Sequence, residues 1–110
     1  MLKVALSSAA SGLLRALIVR AGVPRDRILL SEWSSVDWQS LTFLGERHHA
    51  TLRITAPDSA GAVARLISGL ENAEFSIPGQ IVADIVPIGE PEYAGDGSVT
   101  LRIEALTIAE

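Results

Sequence analysis

The sequence predicts an α+β fold in which two helices pack on an antiparallel sheet of about four to five strands with a long hairpin. Apolar residues recur at helical spacing in residues 3–21 and 58–72, whereas residues 48–55 alternate strictly between apolar and polar faces, as half-buried strands do. The element order is helix, strand, hairpin, helix, hairpin, for which antiparallel strands with both helices on one face are the usual arrangement. The 110 residues are expected to form a single domain, 1–110.

The first helix is predicted over residues 3–21. Its apolar stripe includes Leu6, Ala9, Leu13 and Leu17. Gly22 and then Pro24 follow, in the order typical of a helix C-terminus. The stripe is broad, so we expect the helix to pack on more than one surface.

A strand over 28–34 and a long hairpin over 36–55 come next. In the second strand of the hairpin every second residue points to the same face of the sheet, and one face carries His48, Ala50, Leu52 and Ile54. The glycine in Leu44-Gly45-Glu46-Arg47 predicts that the chain reverses there. An apolar residue beside opposite charges at a protruding tip favours a contact with another subunit, so Leu44, Glu46 and Arg47 are candidate interface residues. The alternative is a solvated turn with one stray apolar residue.

The second half begins with a helix predicted over 58–72, followed by a turn at Pro78-Gly79. Residues 80–88 are apolar on both faces apart from Asp84, which predicts a central strand. A last strand begins at Val99. Its apolar residues occupy odd-numbered positions up to Ala105 and even-numbered positions, Leu106 and Ile108, after it. Such a change of face is typical of a β-bulge.

Charge is unevenly distributed along the chain. Residues 1–70 hold eight basic and five acidic side chains, whereas residues 71–110 hold one basic and eight acidic side chains. The acidic C-terminal region argues against a phosphate-binding site there. It indicates either an ordinary solubilising surface or an acidic surface facing nucleic acid that must not bind tightly. Arg15 and Arg20 interrupt the apolar N-terminal run, so we expect neither a signal peptide nor a membrane span.

No residue pattern predicts catalysis, a cofactor site or a metal site. The chain has no cysteine, and the adjacent His48 and His49 point to opposite faces of a strand, so they cannot chelate one ion. Ser31, His48 and Asp37 contain the residue types of a hydrolase triad, but no nucleophile-elbow motif accompanies them. We therefore expect a protein that is not an enzyme.

One segment of the hairpin contains a family-specific sequence motif. Asp37-Trp38 followed by Thr42-Phe43-x-Gly45-Glu46-x-His48 resembles the tail completion, or tail terminator, proteins of long-tailed phages and bacterial gene transfer agents. The resemblance continues in the order of elements across most of the chain, up to a closing strand that contains Arg102-Ile103-Glu104-Ala105-Leu106.

The resemblance implies a structural protein that forms a hexameric ring on the tail tube, ends tube polymerisation and joins the tail to the head connector. Its implied partners are the tail tube protein, the connector and other copies of itself, first in the cytoplasm and then in the particle, with no membrane. DNA would pass through the ring without tight binding. Glu90, Glu92 and Asp96, expected in a loop between strands, are candidate lumen-facing acids. The alternative is a small cellular ligand-binding or regulatory α+β module.

Overall fold

The computed structural model describes residues 5–110 and has the predicted α+β fold. The helices are α1 (Ser8–Ala21) and α2 (Ser59–Ile67), and the strands are β1 (Ile28–Gln39), β2 (Leu44–Ile54), β3 (Gln80–Tyr93) and β4 (Val99–Ala109). The strands form one four-stranded antiparallel sheet in the order β1-β2-β4-β3. The apolar core lies between the two helices and one face of this sheet.

The first helix is shorter than the sequence predicts. The hydroxyl of Ser7 accepts a hydrogen bond from the Ala10 amide at 3.1 Å, which is a side-chain cap, and the helix begins at Ser8. Residues 5–7 therefore precede the helix, and the predicted start at residues 3–4 lies outside the described residues. The C-terminal end is confirmed, since Gly22 follows the helix with a φ of 70°.

The second helix ends before the predicted residue 72. It stops at Ile67, and Gly69 adopts a φ of 66° before a 3-10 turn over Leu70–Asn72. The two helices hold each other's C-terminal ends: Arg20 of α1 donates to the Leu66 carbonyl at 2.8 Å and Arg65 of α2 donates to the Ala21 carbonyl at 2.9 Å. These bonds satisfy carbonyls that have no partner within their own helix.

The hairpin reverses four residues earlier than predicted. β1 is continuous from Ile28 to Gln39, and the loop is Ser40–Phe43. The hydroxyl of Ser40 accepts from the Phe43 amide at 3.1 Å, so this serine organises the turn. Gly45 instead lies inside β2, where a Cβ would overlap the carbonyl oxygen of Thr107. The glycine permits the close approach of β4 and does not form the turn.

The two C-terminal strands also differ from the prediction. β3 is an edge strand, because β4 lies between it and β2. Its second apolar face is not buried: Ile81 and Ile88 point to the face opposite the helices and remain exposed there. β4 keeps an unbroken register with β2, so the predicted bulge after Ala105 is wrong. The irregularity lies in β3, between Val82 and Asp84.

The alternation predicted for β2 is confirmed. The inward-facing side chains, His48, Ala50, Leu52 and Ile54, are all buried. They meet the inward-facing side chains of β4, including Val99, Leu101, Ile103 and Ala105. The sheet face opposite the helices is not covered by any element within residues 5–110.

Candidate functional site

The free end of the hairpin carries three exposed apolar side chains. Leu41 is fully exposed, Leu44 is 65% exposed and Phe43 is 53% exposed. They lie in or beside the loop, at one end of a hairpin whose first strand is about 40 Å long. We call Leu41, Phe43 and Leu44 the hairpin knob. Contiguous apolar exposure of this kind is typical of a contact surface.

The three predicted interface residues do not share this tip. Leu44 is the first residue of β2, and Glu46 and Arg47 follow within the strand on opposite faces. Glu46 lies on the helix-side face and accepts a hydrogen bond from the Ser7 hydroxyl at 2.7 Å. Arg47 lies on the open face and forms an ion pair with Glu104 at 3.2 Å. The predicted tip with adjacent opposite charges was therefore wrong.

Directly opposite Glu46 on β1 stands a second acid, Asp37. Both carboxylates are on the helix-side face, next to Leu44 of the knob. Like charges at directly paired positions destabilise a sheet. Within residues 5–110, neither carboxylate forms an ion pair. The knob thus borders an acid pair with no cation to balance it in the described part of the chain.

A groove of about 430 Å³ runs beside α1. It lies between the helix and the segment that leads into β3, and we call it the α1 groove; its lining consists of Gly12, Arg15, Ala16, Val19, Arg20, Glu74, Phe75, Ser76, Ile77 and Pro78. Gly12 makes the close packing possible, because a Cβ there would overlap the side chain of Ile77.

The α1 groove is apolar and has charged edges, with Arg15 and Arg20 on the helix and Glu74 on the opposite wall. Val19 is 76% exposed and Phe75 is half-buried, so both are available to a partner. Arg20 is fixed by its bonds to the Leu66 and Ser68 carbonyls. Arg15 is exposed and makes no hydrogen bond or ion pair with any other described residue. The groove can therefore hold apolar side chains and leaves one arginine to meet an acid.

A buried histidine joins three strands beneath α1. His48 is 1% exposed; its Nδ1 lies 2.8 Å from the Ser35 hydroxyl of β1 and its Nε2 lies 2.8 Å from the Thr107 hydroxyl of β4. The indole of Trp33 packs edge-on against the imidazole, with ring centroids 5.7 Å apart. Because its partner Thr107 is 59 residues away in sequence, this network could not be recognised from local patterns.

The hydrogen bonds of His48 are compatible with a neutral ring that carries its proton on Nε2. The Trp33 indole N–H can only donate, and it lies 3.0 Å from the Ser35 hydroxyl and 3.4 Å from Nδ1. In this tautomer Nδ1 accepts from Ser35 and Nε2 donates to Thr107. Burial lowers the pKa of His48 below its ordinary value, and the nearby Glu46 carboxylate opposes this effect. The network favours the neutral imidazole.

The network contains a hydroxyl beside an imidazole, but it lacks the acid of a hydrolase triad. Ser35 contacts His48, whereas Ser31 and Asp37, the other residue types of a triad considered from the sequence, do not hydrogen-bond to it. The position that a carboxylate occupies in a triad is taken by the hydroxyl of Thr107, which cannot stabilise an imidazolium by charge. Among residues 5–110, no three His, Asp or Glu side chains cluster as a metal site would require.

The three acids predicted in a loop occupy two different environments. Glu90 and Glu92 belong to β3, which corrects their placement, and only Asp96 lies in the turn before β4. Glu92 lies 3.6 Å from Arg102, and Asp96 lies 2.6 Å from Arg53. Hydrogen bonds from Ser98 and the charge of Arg53 lower the pKa of Asp96. The acidic edge is thus partly neutralised by arginines of β2 and β4.

The open face of the sheet carries a row of apolar side chains near the hairpin end. Trp38, Ile108 and Ile81 lie at paired positions across β1, β4 and β3, with Gly45 of β2 between the first two. Ile81 is 52% exposed and Val36, one row away, is 62% exposed. This second apolar surface adjoins the hairpin knob.

No helix in the described region, residues 5–110, is long and apolar enough to span a membrane. Comparison with known proteins found no matching family model and no significantly similar curated protein.

Proposed function

We propose that this protein is a structural component that assembles into a ring at the end of a phage or gene transfer agent tail tube. In this role it ends tube polymerisation and provides the surface that meets the head connector. The observation that carries the proposal is the exposed hairpin knob, which lies within the segment that resembles tail terminators, residues 37–48. Self-association in a ring covers such surface, whereas a monomer leaves it in water.

The amount of exposed apolar surface supports an assembled state. The large apolar side chains that remain exposed on the described chain are Val19, Leu29, Val36, Leu41, Phe43, Leu44, Ile81, Ile88 and Tyr93. Single exposed apolar residues are common, but several of these adjoin one another at the hairpin end. A domain of 110 residues has little interior in which to bury them.

The charge of the chain suits a ring through which DNA moves. The formal net charge is −4, and the C-terminal forty residues are strongly acidic. Glu90, Glu92 and Asp96 remain the proposed lumen-facing acids, and Glu90 forms no ion pair within residues 5–110. Acids along the passage repel phosphates and so keep DNA from adhering. On this proposal the protein acts in the cytoplasm during assembly, ends in the particle and uses no cofactor or catalysis.

A ligand-binding module is the second candidate, favoured by the α1 groove. Its volume of about 430 Å³ and the two arginines on its α1 side would suit a small apolar anion. This candidate predicts a monomer or dimer whose melting temperature rises when such a ligand is added.

Tube growth tests the proposed function directly. The tail tube protein encoded in the same genome is allowed to polymerise with and without this protein, and tube lengths are measured by electron microscopy. We expect shorter tubes that end in a ring. We also expect Leu44→Asp to abolish the effect and Ser34→Asp, which adds the same charge at an exposed position of β1, to retain it. Unchanged tube lengths with the wild-type protein would refute the proposal.

A further inference from the structure

We infer that the ring contact is a head-to-tail contact in which the hairpin knob of one copy docks into the α1 groove of the next copy. This inference rests on the proposed ring. It assigns a surface to each side of the contact, and both surfaces belong to this chain.

The two surfaces match in apolar character. The knob presents Leu41 and Phe43 on the four-residue loop that closes the hairpin. The groove presents Val19 and Phe75, and its volume of about 430 Å³ is on the scale of a few large side chains. Docking would remove from water apolar side chains on both copies, and the gain scales with the apolar area buried.

The two surfaces also match in charge. Residues 28–46 of the hairpin contain three acidic residues and no basic residue, whereas α1 contains two arginines and no acid. Next to the knob, the paired carboxylates of Asp37 and Glu46 have no cationic partner among the described residues. At the groove, Arg15 on the α1 side is exposed and unpaired within the same region, whereas the one acid of the lining, Glu74, lies on the opposite wall. Docking would bring this arginine to the acid pair and relieve its repulsion.

The geometry prevents one copy from filling its own groove. The knob lies at the β1 side of the sheet, whereas the groove wall joins β3 at the opposite edge, since Ile77 is bridged to Gln80. α1 begins near Glu46, and Ala16 of the groove lies about 13 Å along the helix from Ser7. The contact must therefore join two different surfaces of two copies. Such heterologous contacts close into rings when the rotation between copies permits.

Disulfide trapping tests this contact, because the native chain has no cysteine. A protein carrying Leu41→Cys and Val19→Cys is oxidised and its mass is measured under denaturing, non-reducing conditions. Both positions are exposed, so the substitutions leave the core intact. The matched control carries Leu41→Cys and Gly95→Cys, with the second cysteine at an open position in the β3–β4 turn. We expect a ladder of cross-linked copies for the first pair and monomers for the control.

Native mass measurement of the wild type distinguishes the possible failures. Stable oligomers without knob-to-groove cross-links would overturn this inference and leave the proposed ring intact. Absence of both oligomers and cross-links at millimolar protein, alone and in the presence of tail tubes, would overturn both. Equal cross-linking of the control pair would show random collision and would also overturn the inference.

A charge exchange gives an independent measurement. Asp37→Arg and Arg15→Glu should each weaken association about tenfold or more, and the double variant should recover most of the loss. Additive losses in the double variant would mean that the two residues do not meet, in contradiction to the inferred contact.

Discussion

His48 is buried where three strands meet, and its two ring nitrogens are both occupied by hydroxyl partners. The side chain is polar, yet the sequence places it in the inward-facing set with Ala50 and Leu52, and the structure confirms this. Its neutral form fits the network, whereas an imidazolium would require Ser35 to turn its hydroxyl away. The residue therefore links the stability of the hairpin to pH.

We predict that stability falls when the pH drops below about 6.5, the ordinary pKa of histidine. Because burial lowers the pKa of His48 in the folded state, the unfolded chain binds more protons between that lowered pKa and about 6.5. The contribution of neutral His48 to the free energy of unfolding is complete above this pH window and is lost as the pH falls through it. Urea unfolding of the wild type and His48→Gln at several pH values measures the effect. A wild-type slope equal to that of the variant would contradict the prediction.

Gly45 is the second residue whose role depends on a distant strand. A side chain there would overlap the backbone carbonyl of Thr107, which cannot move without disturbing β4. We predict that Gly45→Ala lowers the free energy of unfolding by about 1–3 kcal/mol. Gly95→Ala, at an open position, should change it by less than about 0.5 kcal/mol. If both variants lowered the free energy of unfolding equally in denaturant, the close approach of β4 would not be the reason for a glycine at position 45.

At the scale of the elements, local patterns predicted the strand faces and one helix end better than the turns. The inward set of β2 follows from alternation alone, and Gly22 marks the end of α1. The reversal was misplaced because Gly45 looks like a turn residue, although it is needed for a contact 62 positions away in the chain. The turn signal was Ser40, a residue type that bonds its own turn.

The position of β3 and the His48 network could not be predicted for a related reason. Strand order is a long-range property, and an edge strand that keeps an exposed apolar side chain such as Ile81 has the composition of a central strand. Glu46 and Arg47 were placed at a tip only because the reversal was misplaced. Of the predicted interface residues, Leu44 belongs to the hairpin knob together with Leu41 and Phe43, whereas Glu46 and Arg47 lie within β2; the role of this end of the hairpin as an interface stays a prediction.

The two helices depend on each other through a pair of arginines. Arg20 donates to carbonyls at the end of α2, and Arg65 donates to the last carbonyl of α1. We predict that Arg20→Ala and Arg65→Ala each lower the free energy of unfolding by about 1–2 kcal/mol, because carbonyls lose a charged donor. Arg25→Ala, at an exposed position, is the control and should be near neutral. The free energies of unfolding are measured by chemical denaturation. An equally large decrease for Arg25→Ala would contradict the capping role of Arg20 and Arg65.

For the molecule as a whole, charge and exposed apolar surface point in the same direction. The acidic C-terminal part has one base against eight acids, and two of these acids, Glu92 and Asp96, have arginine partners on the sheet. The apolar surface at the hairpin end instead favours protein partners. A molecule that surrounds DNA without holding it needs this combination.

We predict no tight nucleic-acid binding at physiological salt. Each phosphate contact requires a Lys or Arg, and the net charge of −4 opposes the approach of DNA. A gel-retardation assay with duplex DNA at about 0.15 M salt should show no shift. A tight complex under these conditions would contradict both the charge argument and the passage of DNA through the ring.

Native mass spectrometry of the wild-type protein tests the ring most directly. The chain has a mass of 11.6 kDa, so we predict a closed ring of six copies, about 70 kDa, whose population increases at high protein concentration or on tail tubes. The same measurement on Leu44→Asp should give the monomer. A wild-type protein that remains monomeric at millimolar concentration, both alone and in the presence of tail tubes, would contradict the account.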